Sequence, residues 1–400
     1  FPISYTTLLE APVLELVDDD GRVLEALAYR AEFVDVLHET SGSGDAEGQA
    51  VWIADPDYAG LDLGGKIAVR APSLPITDEV AHAMEHGASA LLLVGKTAAQ
   101  TRPMIKSALP ATFSETPSIP VLALTQQGYS RLLAAAECSE QDLGDAPPAL
   151  PLGIRVHVHV LLQPPRTVEA VNVLGLLPGT DPALAGEVLL ISAGYDHVGD
   201  DPPAWVCPTG SSSVFDPGKR EAVCILEPGR RYPGANDNAS GVAVMLEIAR
   251  LWHEAGYRPE RTVLFAAWAA HENDQLGLRR YVEDPALPLD SLFAVLHLDA
   301  VGGGNGYYLG AEGSKEQDSL LRFTMERAEE LLDGRLSISS PPSSGDPAAP
   351  FRQAGIPTLH LQWREASTEN WPVEEADEVQ PYRLGVTGRM VALTLMALAR

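Results

Sequence analysis

The sequence predicts an α/β protein: a mixed, mostly parallel sheet with helices on both faces over residues 166–400, and a smaller α/β domain with its preceding strands over residues 1–165. Two observations predict it. From residue 50 onward, short apolar runs alternate with helix-like segments, the pattern that lays crossover helices on the faces of a parallel sheet. An Asp, Pro and Ala stretch at 142–151 then divides shorter elements before it from longer ones after it.

In the first part, 50–54, 66–70, 90–94 and 120–124 read as strands, and 77–87 and 126–136 as helices. Ile154, Val156, Val158 and Val160 then alternate with Arg155, His157 and His159. That is a two-faced strand, and it turns both histidines toward solvent rather than toward a ligand. In the second part, strands are expected at 168–177, 188–193, 262–268, 292–298 and 358–363, with helices at 239–255, 276–282, 319–332 and 382–399. Residues 200–233, rich in Pro, Gly and Ser, read as an insertion in this second domain.

A 400-residue chain that is 45% hydrophobic can bury a large core. Its 55 acidic against 28 basic residues give a formal charge of -27, which repels polyphosphate and anionic lipid, so nucleic acid and membrane surfaces are excluded as partners. No run approaches the roughly 18 apolar residues of a membrane span. The opening Phe1-Pro2-Ile3-Ser4 is not a signal peptide and suggests a mature or trimmed chain. Cys207 and Cys224 bracket part of the insertion. A disulfide there would close an exposed loop, leave Cys138 free and place the protein on the cell surface or outside the cell; three unpaired thiols in an intracellular protein is the other reading.

The chemistry gathers at strand ends. Ser192-Ala193-Gly194-Tyr195-Asp196-His197 ends one strand, Gly234-Ala235-Asn236-Asp237-Asn238-Ala239-Ser240-Gly241 leads into a helix, His271-Glu272 follows a second strand and Asp299 a third. Carboxylates delivered to one crevice from separate strand ends are what a divalent cation needs. Taken singly, Asp237 reads as a helix cap, Glu272 as a solvated loop residue and Asp299 as a turn residue.

In order and context, these segments resemble the M28 metallopeptidases, from residue 168 to 400. Members carry an Ala-His-x-Asp segment, a Gly-Ala-Asp-Asp-Asn-x-Ser-Gly segment, a Glu-Glu pair, a Leu-Asp-x-x-Gly segment and a late His-Thr segment. The counterparts here are 193–196, 234–241, His271-Glu272, 298–302 and 366–370, with support from Asp346, Pro350-Phe351 and Gly355-Ile356-Pro357. Residues 63–69, 87–91 and 117–121 are similar to the protease-associated domain inserted in such enzymes.

The resemblance implies a zinc aminopeptidase fold with two zinc ions bridged by one aspartate, each ion also held by one histidine and one further carboxylate. Carried over by position, Asp237 is the bridging residue and Glu272 and Asp299 are the terminal carboxylates. The two histidine positions hold Gly194 and Ala366, and the position of the water-activating glutamate holds His271. Asp196, which steadies the first histidine in the family, has lost that partner.

Zinc usually takes four ligands, with nitrogen or sulfur among them. Without either imidazole, the dinuclear zinc of the family is not expected, and either no cation or one divalent cation remains. Three carboxylates cannot then stay charged side by side, since two unit charges about 4 Å apart repel by roughly 4 kcal/mol at an effective dielectric near 20. A proton, a hard cation or an imidazolium at His271 could compensate. Alternatively, His271 becomes a ligand of a single-metal site beside Asp237 and Glu272. The expectation is a peptidase-like extracellular protein that has lost catalysis and serves a binding or structural role, with a protein or peptide partner or self-assembly. An active metallo-exopeptidase, an aminopeptidase with an altered metal site and His271 as general base, is the alternative.

Overall fold

The structure, a computed structural model, describes residues 1–36, 41–95, 109–110, 118–144, 146–164, 166–197, 199–200, 204–206, 214–216, 221–223, 225–227, 229, 231–272, 275–304, 307–314, 318–332, 336–342, 346–363 and 375–400. Cys207, Cys224 and Ala366 lie outside the described residues; Cys138 is a free thiol. The chain forms two units, one of residues 2–168 with 200–231, the other of residue 1 with 169–199 and 232–400.

In the first unit an eight-stranded sheet runs Val23–Ala26, Val13–Val17, Ala149–Val160, Gly44–Ile53, Ile67–Arg70, Ala90–Val94, Val121–Leu124, Phe33–Asp35. The four strands from Gly44–Ile53 to Val121–Leu124 pair in parallel, and the flanks are antiparallel. Ala90–Val94 is buried throughout because apolar clusters cover both faces, one including Leu92 and Tyr129, the other Leu91 and Val80. The strand Ala149–Val160 alternates as its sequence does. Val156, Val158 and Val160 are buried, while His157 and His159 lie half-buried on the other face.

In the second unit seven strands are ordered Val173–Leu177, Thr262–Trp268, Val188–Gly194, Leu292–Leu298, Thr358–Trp363, Leu309–Glu312, Leu336–Ser339. The four strands from Thr262–Trp268 to Thr358–Trp363 are mutually parallel; Val173–Leu177 and Leu309–Glu312 join them antiparallel. Alternate residues of the same strand serve opposite faces. Leu189 and Ile191 pack with Met245, Ile248, Trp252 and Met390, whereas Leu190 packs with Trp268, Tyr281 and Phe351.

The stretch 168–177, read from the sequence as one strand, divides into Arg166–Glu169 and Val173–Leu177. Asn172 sits in the break, where its side chain donates to Gly277 O and accepts from Ala269 N. Two strands, Leu309–Glu312 and Leu336–Ser339, were not foreseen. The helix expected at 239–255 runs Gly241–Glu254, because residues Ala235–Ser240 form a wider turn in which Asp237 (φ -109°, ψ 90°) and Asn238 (φ -138°, ψ 33°) are not helical. Among the described residues no helix is long and apolar enough to cross a membrane.

Candidate metal centre

The residues singled out above meet at the carboxyl ends of the parallel strands, where a doubly wound sheet opens its crevice. Val188–Gly194 delivers Gly194, Asp196 and His197; Thr262–Trp268 delivers His271 and Glu272; Leu292–Leu298 delivers Asp299. Ala270 and Ala300 leave their strands with φ of 53° and 47°, a left-handed conformation that non-glycine residues adopt at a cost of about 1–3 kcal/mol and keep where the surroundings hold them.

Those surroundings are hydrogen bonds from the 234–241 segment. Asn238, 1% exposed, donates to Leu298 O (2.8 Å) and accepts at Oδ1 from Ala300 N (3.2 Å) and Gly241 N (3.3 Å). Asn236 Oδ1 accepts from Gly302 N (2.9 Å), and Ser240 Oγ accepts from Val301 N (3.0 Å). Three side chains of one motif thus fix the turn behind Asp299. Asp196 does the equivalent for the neighbouring strand. Its carboxylate accepts from the backbone N–H of Ala270 and of His271 (2.9 Å to the latter), so Asp196 holds the turn that carries His271 and is not left without a partner.

The space above Gly194 is filled. A Cβ built on Gly194 would lie 2.5 Å from Cδ2 and 2.7 Å from Cβ of His271, inside van der Waals contact. The imidazole of His271 thus fills the space that a side chain at position 194 would enter.

Two sets of three donors share Asp237. His197, Asp237 and Glu272 form one; Asp237, His271 and Asp299 form the other; within each set the donor atoms all lie within 4.8 Å of one another. Two ligands of one ion at about 2.0–2.4 Å can be no farther apart than about 4.8 Å, so either set is compact enough for a divalent cation. The mixed nitrogen and oxygen chemistry suits zinc or manganese. Asp237, Glu272 and Asp299, the three carboxylates selected in the sequence, are brought together. His271 and Glu272 are divided between the two sets.

The halves differ in how their polar atoms are satisfied. His197 Nδ1 lies 3.0 Å from Glu272 Oε1, a carboxylate–imidazole pair. His360 Nε2 lies 3.4 Å from Asp299 Oδ2. His271 is 5% exposed and neither ring nitrogen has a hydrogen-bond partner; Asp299 Oδ1 has none either.

Three imidazoles form a row, His271 from the turn after Thr262–Trp268 and His297 and His360 from the adjacent strands Leu292–Leu298 and Thr358–Trp363. His271 and His297 have ring centroids 5.9 Å apart, His297 and His360 6.0 Å. His297 pairs in register with Ser192 and His360, and its Nδ1 lies 3.0 Å from Ser192 Oγ. Burial, reinforced by the charges of His271 and His360, pushes His297 far down, so it stays neutral. For Asp299, burial is the largest influence and pushes upward, but the hydrogen bond from His360 and the charges of His271, His360 and His297 carry it below the usual carboxylate range. His360 Nδ1 lies 3.6 Å from Asp346 Oδ1, and Asp346 is in turn bridged by Arg352 to Asp318.

Sequence reasoning missed His197, His297 and His360 as parts of the site. His197 stood inside a segment already singled out. His297 and His360 are the polar interruptions in two apolar strands, a signal that buried polar residues leave but that does not say what they face.

Residues 172–398 match Peptidase family M28. The leupeptin-inactivating enzyme 1 of Streptomyces exfoliatus is 31% identical over 126 residues, 31% of this chain and 28% of that protein. The aminopeptidase YwaD of Bacillus subtilis is 29% identical over 171 residues, 40% of this chain and 36% of that protein. The matched stretches thus span about a quarter to a third of these curated relatives. An aminopeptidase from Aneurinibacillus sp. strain AM-1 has the same fold, with a TM-score of 0.67 at 20% identity over 100% of this chain and 83% of that one.

Proposed function

The chain belongs to peptidase family M28, and from that premise we propose that it uses a peptidase frame to bind a protein or peptide ligand, with peptide-bond hydrolysis lost. One observation carries this reading: the ring of His271 occupies the space over Gly194. By the family resemblance, position 194 supplies an imidazole to the metal and position 271 the carboxylate that takes a proton from the attacking water. One imidazole cannot serve both. As a ligand it has no lone pair left for a proton, and as a base it leaves the cation short of nitrogen.

The neighbouring carboxylates do not take over the base role. Glu272 is engaged by His197 and Asp196 by two backbone N–H groups. A divalent cation bound here would polarise a carbonyl oxygen, and this chain's residues would orient the ligand without moving its proton. The assay is a panel of amino-acyl and peptidyl substrates with zinc, cobalt or manganese. No turnover above blank is expected; turnover abolished by a chelator contradicts the reading.

A second reading, an active aminopeptidase with an altered metal site, is favoured by the two donor sets. Each has one histidine and two carboxylates, and they share Asp237. It requires chelator-sensitive turnover in the same assay.

The N-terminal unit is read as a protease-associated domain and the setting as the cell surface or outside the cell. The cysteines test the setting. Thiol titration of the unfolded, unreduced protein gives one reactive thiol if Cys207 and Cys224 are joined and three if they are not.

A further inference from the structure

We infer that the centre takes one divalent cation, held by Asp237, His271 and Asp299, while His197 and Glu272 stay paired with each other beside it. The unequal satisfaction of the two halves carries this. In the outer half His197 and Glu272 are hydrogen-bonded to one another at 3.0 Å, so a cation entering there must first break that formed pair. In the inner half His271 is 5% exposed with both ring nitrogens unpartnered, and Asp299 Oδ1 is likewise unpartnered. A buried polar atom without a partner is costly, and a cation bound by His271 nitrogen and Asp299 oxygen together removes that cost at two groups.

The supports are built for it. Asp196 fixes the backbone of His271, Asn238 fixes the turn after Asp299, and His360, braced by Asp346, sits on the Asp299 oxygen opposite. Oriented ligands with satisfied outer partners are what tight metal sites require. The absence of a side chain at Gly194 is then a condition of the site, since any Cβ there displaces the His271 ring. The donor set, one nitrogen and two carboxylates with open positions for water, suits zinc or manganese. The inference holds whether or not a peptide is cleaved, because it concerns occupancy.

Protein stripped with a chelator is titrated with zinc by calorimetry, and with cobalt by visible absorption, which reports the ligand geometry without any turnover. One equivalent is expected. H271A and the near-isosteric D299N should each weaken binding by more than about tenfold, since loss of even an outer-shell partner costs 10–100-fold. H197A should still take one equivalent. Thermal melts of each stripped variant separate misfolding from ligand loss. Two equivalents, none, or one equivalent lost with H197A but kept with H271A would each overturn the inference.

Discussion

Two groups of histidines in this chain have opposite surroundings. On the half-exposed face of Ala149–Val160, His157 has Glu15 at 3.0 Å and Asp45 at 2.9 Å on its two ring nitrogens, and His159 has Asp45 at 3.3 Å and Glu10 at 3.1 Å. In the crevice, His271 is buried with both nitrogens unpartnered and His297 is held neutral by burial. The same side chain is thus set between carboxylates at hydrogen-bond distance in one unit and buried without such a pair in the other. Water access and carboxylate placement decide which, because a buried imidazolium without a counterion is costly and a solvated one between carboxylates is favoured.

The contrast can be tested by disturbing each group. The largest effect is expected from N238A, which takes the side-chain partner from Leu298 O and from the N–H of Ala300 in a buried site. At about 1–3 kcal/mol for each buried group left unsatisfied, urea melts should show a loss of several kcal/mol. Next comes G194A. Its methyl group meets the His271 ring, so overpacking of about 1–3 kcal/mol is expected in the wild-type background and little in an H271A background. Additive effects of the two substitutions would mean that the ring does not fill that space.

The smallest effect belongs to the surface group. For His157, burial lowers the pKa, but the hydrogen bonds to Glu15 and Asp45 outweigh it and hold the folded value above that of an ordinary imidazole. Its contribution is therefore fully present below the unfolded pKa and disappears as pH rises through the raised folded value. H157N should cost under about 1 kcal/mol near pH 5.5 and nothing in mildly alkaline buffer, measured by paired melts. A cost that grows with pH would show that His157 is neutral in its pairs.

The sequence made the parallel strands legible because Val188–Gly194, Thr262–Trp268 and Leu292–Leu298 are apolar runs buried on both faces. Leu309–Glu312 and Leu336–Ser339 escaped because each is four residues long with only two apolar side chains, too short an alternation to stand out. Asp237, His271, Glu272 and Asp299 could be selected because ordered motifs name positions along the chain. His360 could not, since its importance arises only when strand register sets it beside His297 and its ring beside Asp299. Gly194 and His271 read in the sequence as two separate departures from the motifs they resemble. In space they are linked, because the His271 ring fills the room above Gly194.

The most direct test of the proposed single-cation site is a crystal of the protein grown with zinc and measured by anomalous scattering at the zinc edge. The account predicts one peak, bounded by Asp237, His271 and Asp299, with His197 still on Glu272. Two peaks, or a single peak between His197 and Glu272, would contradict it.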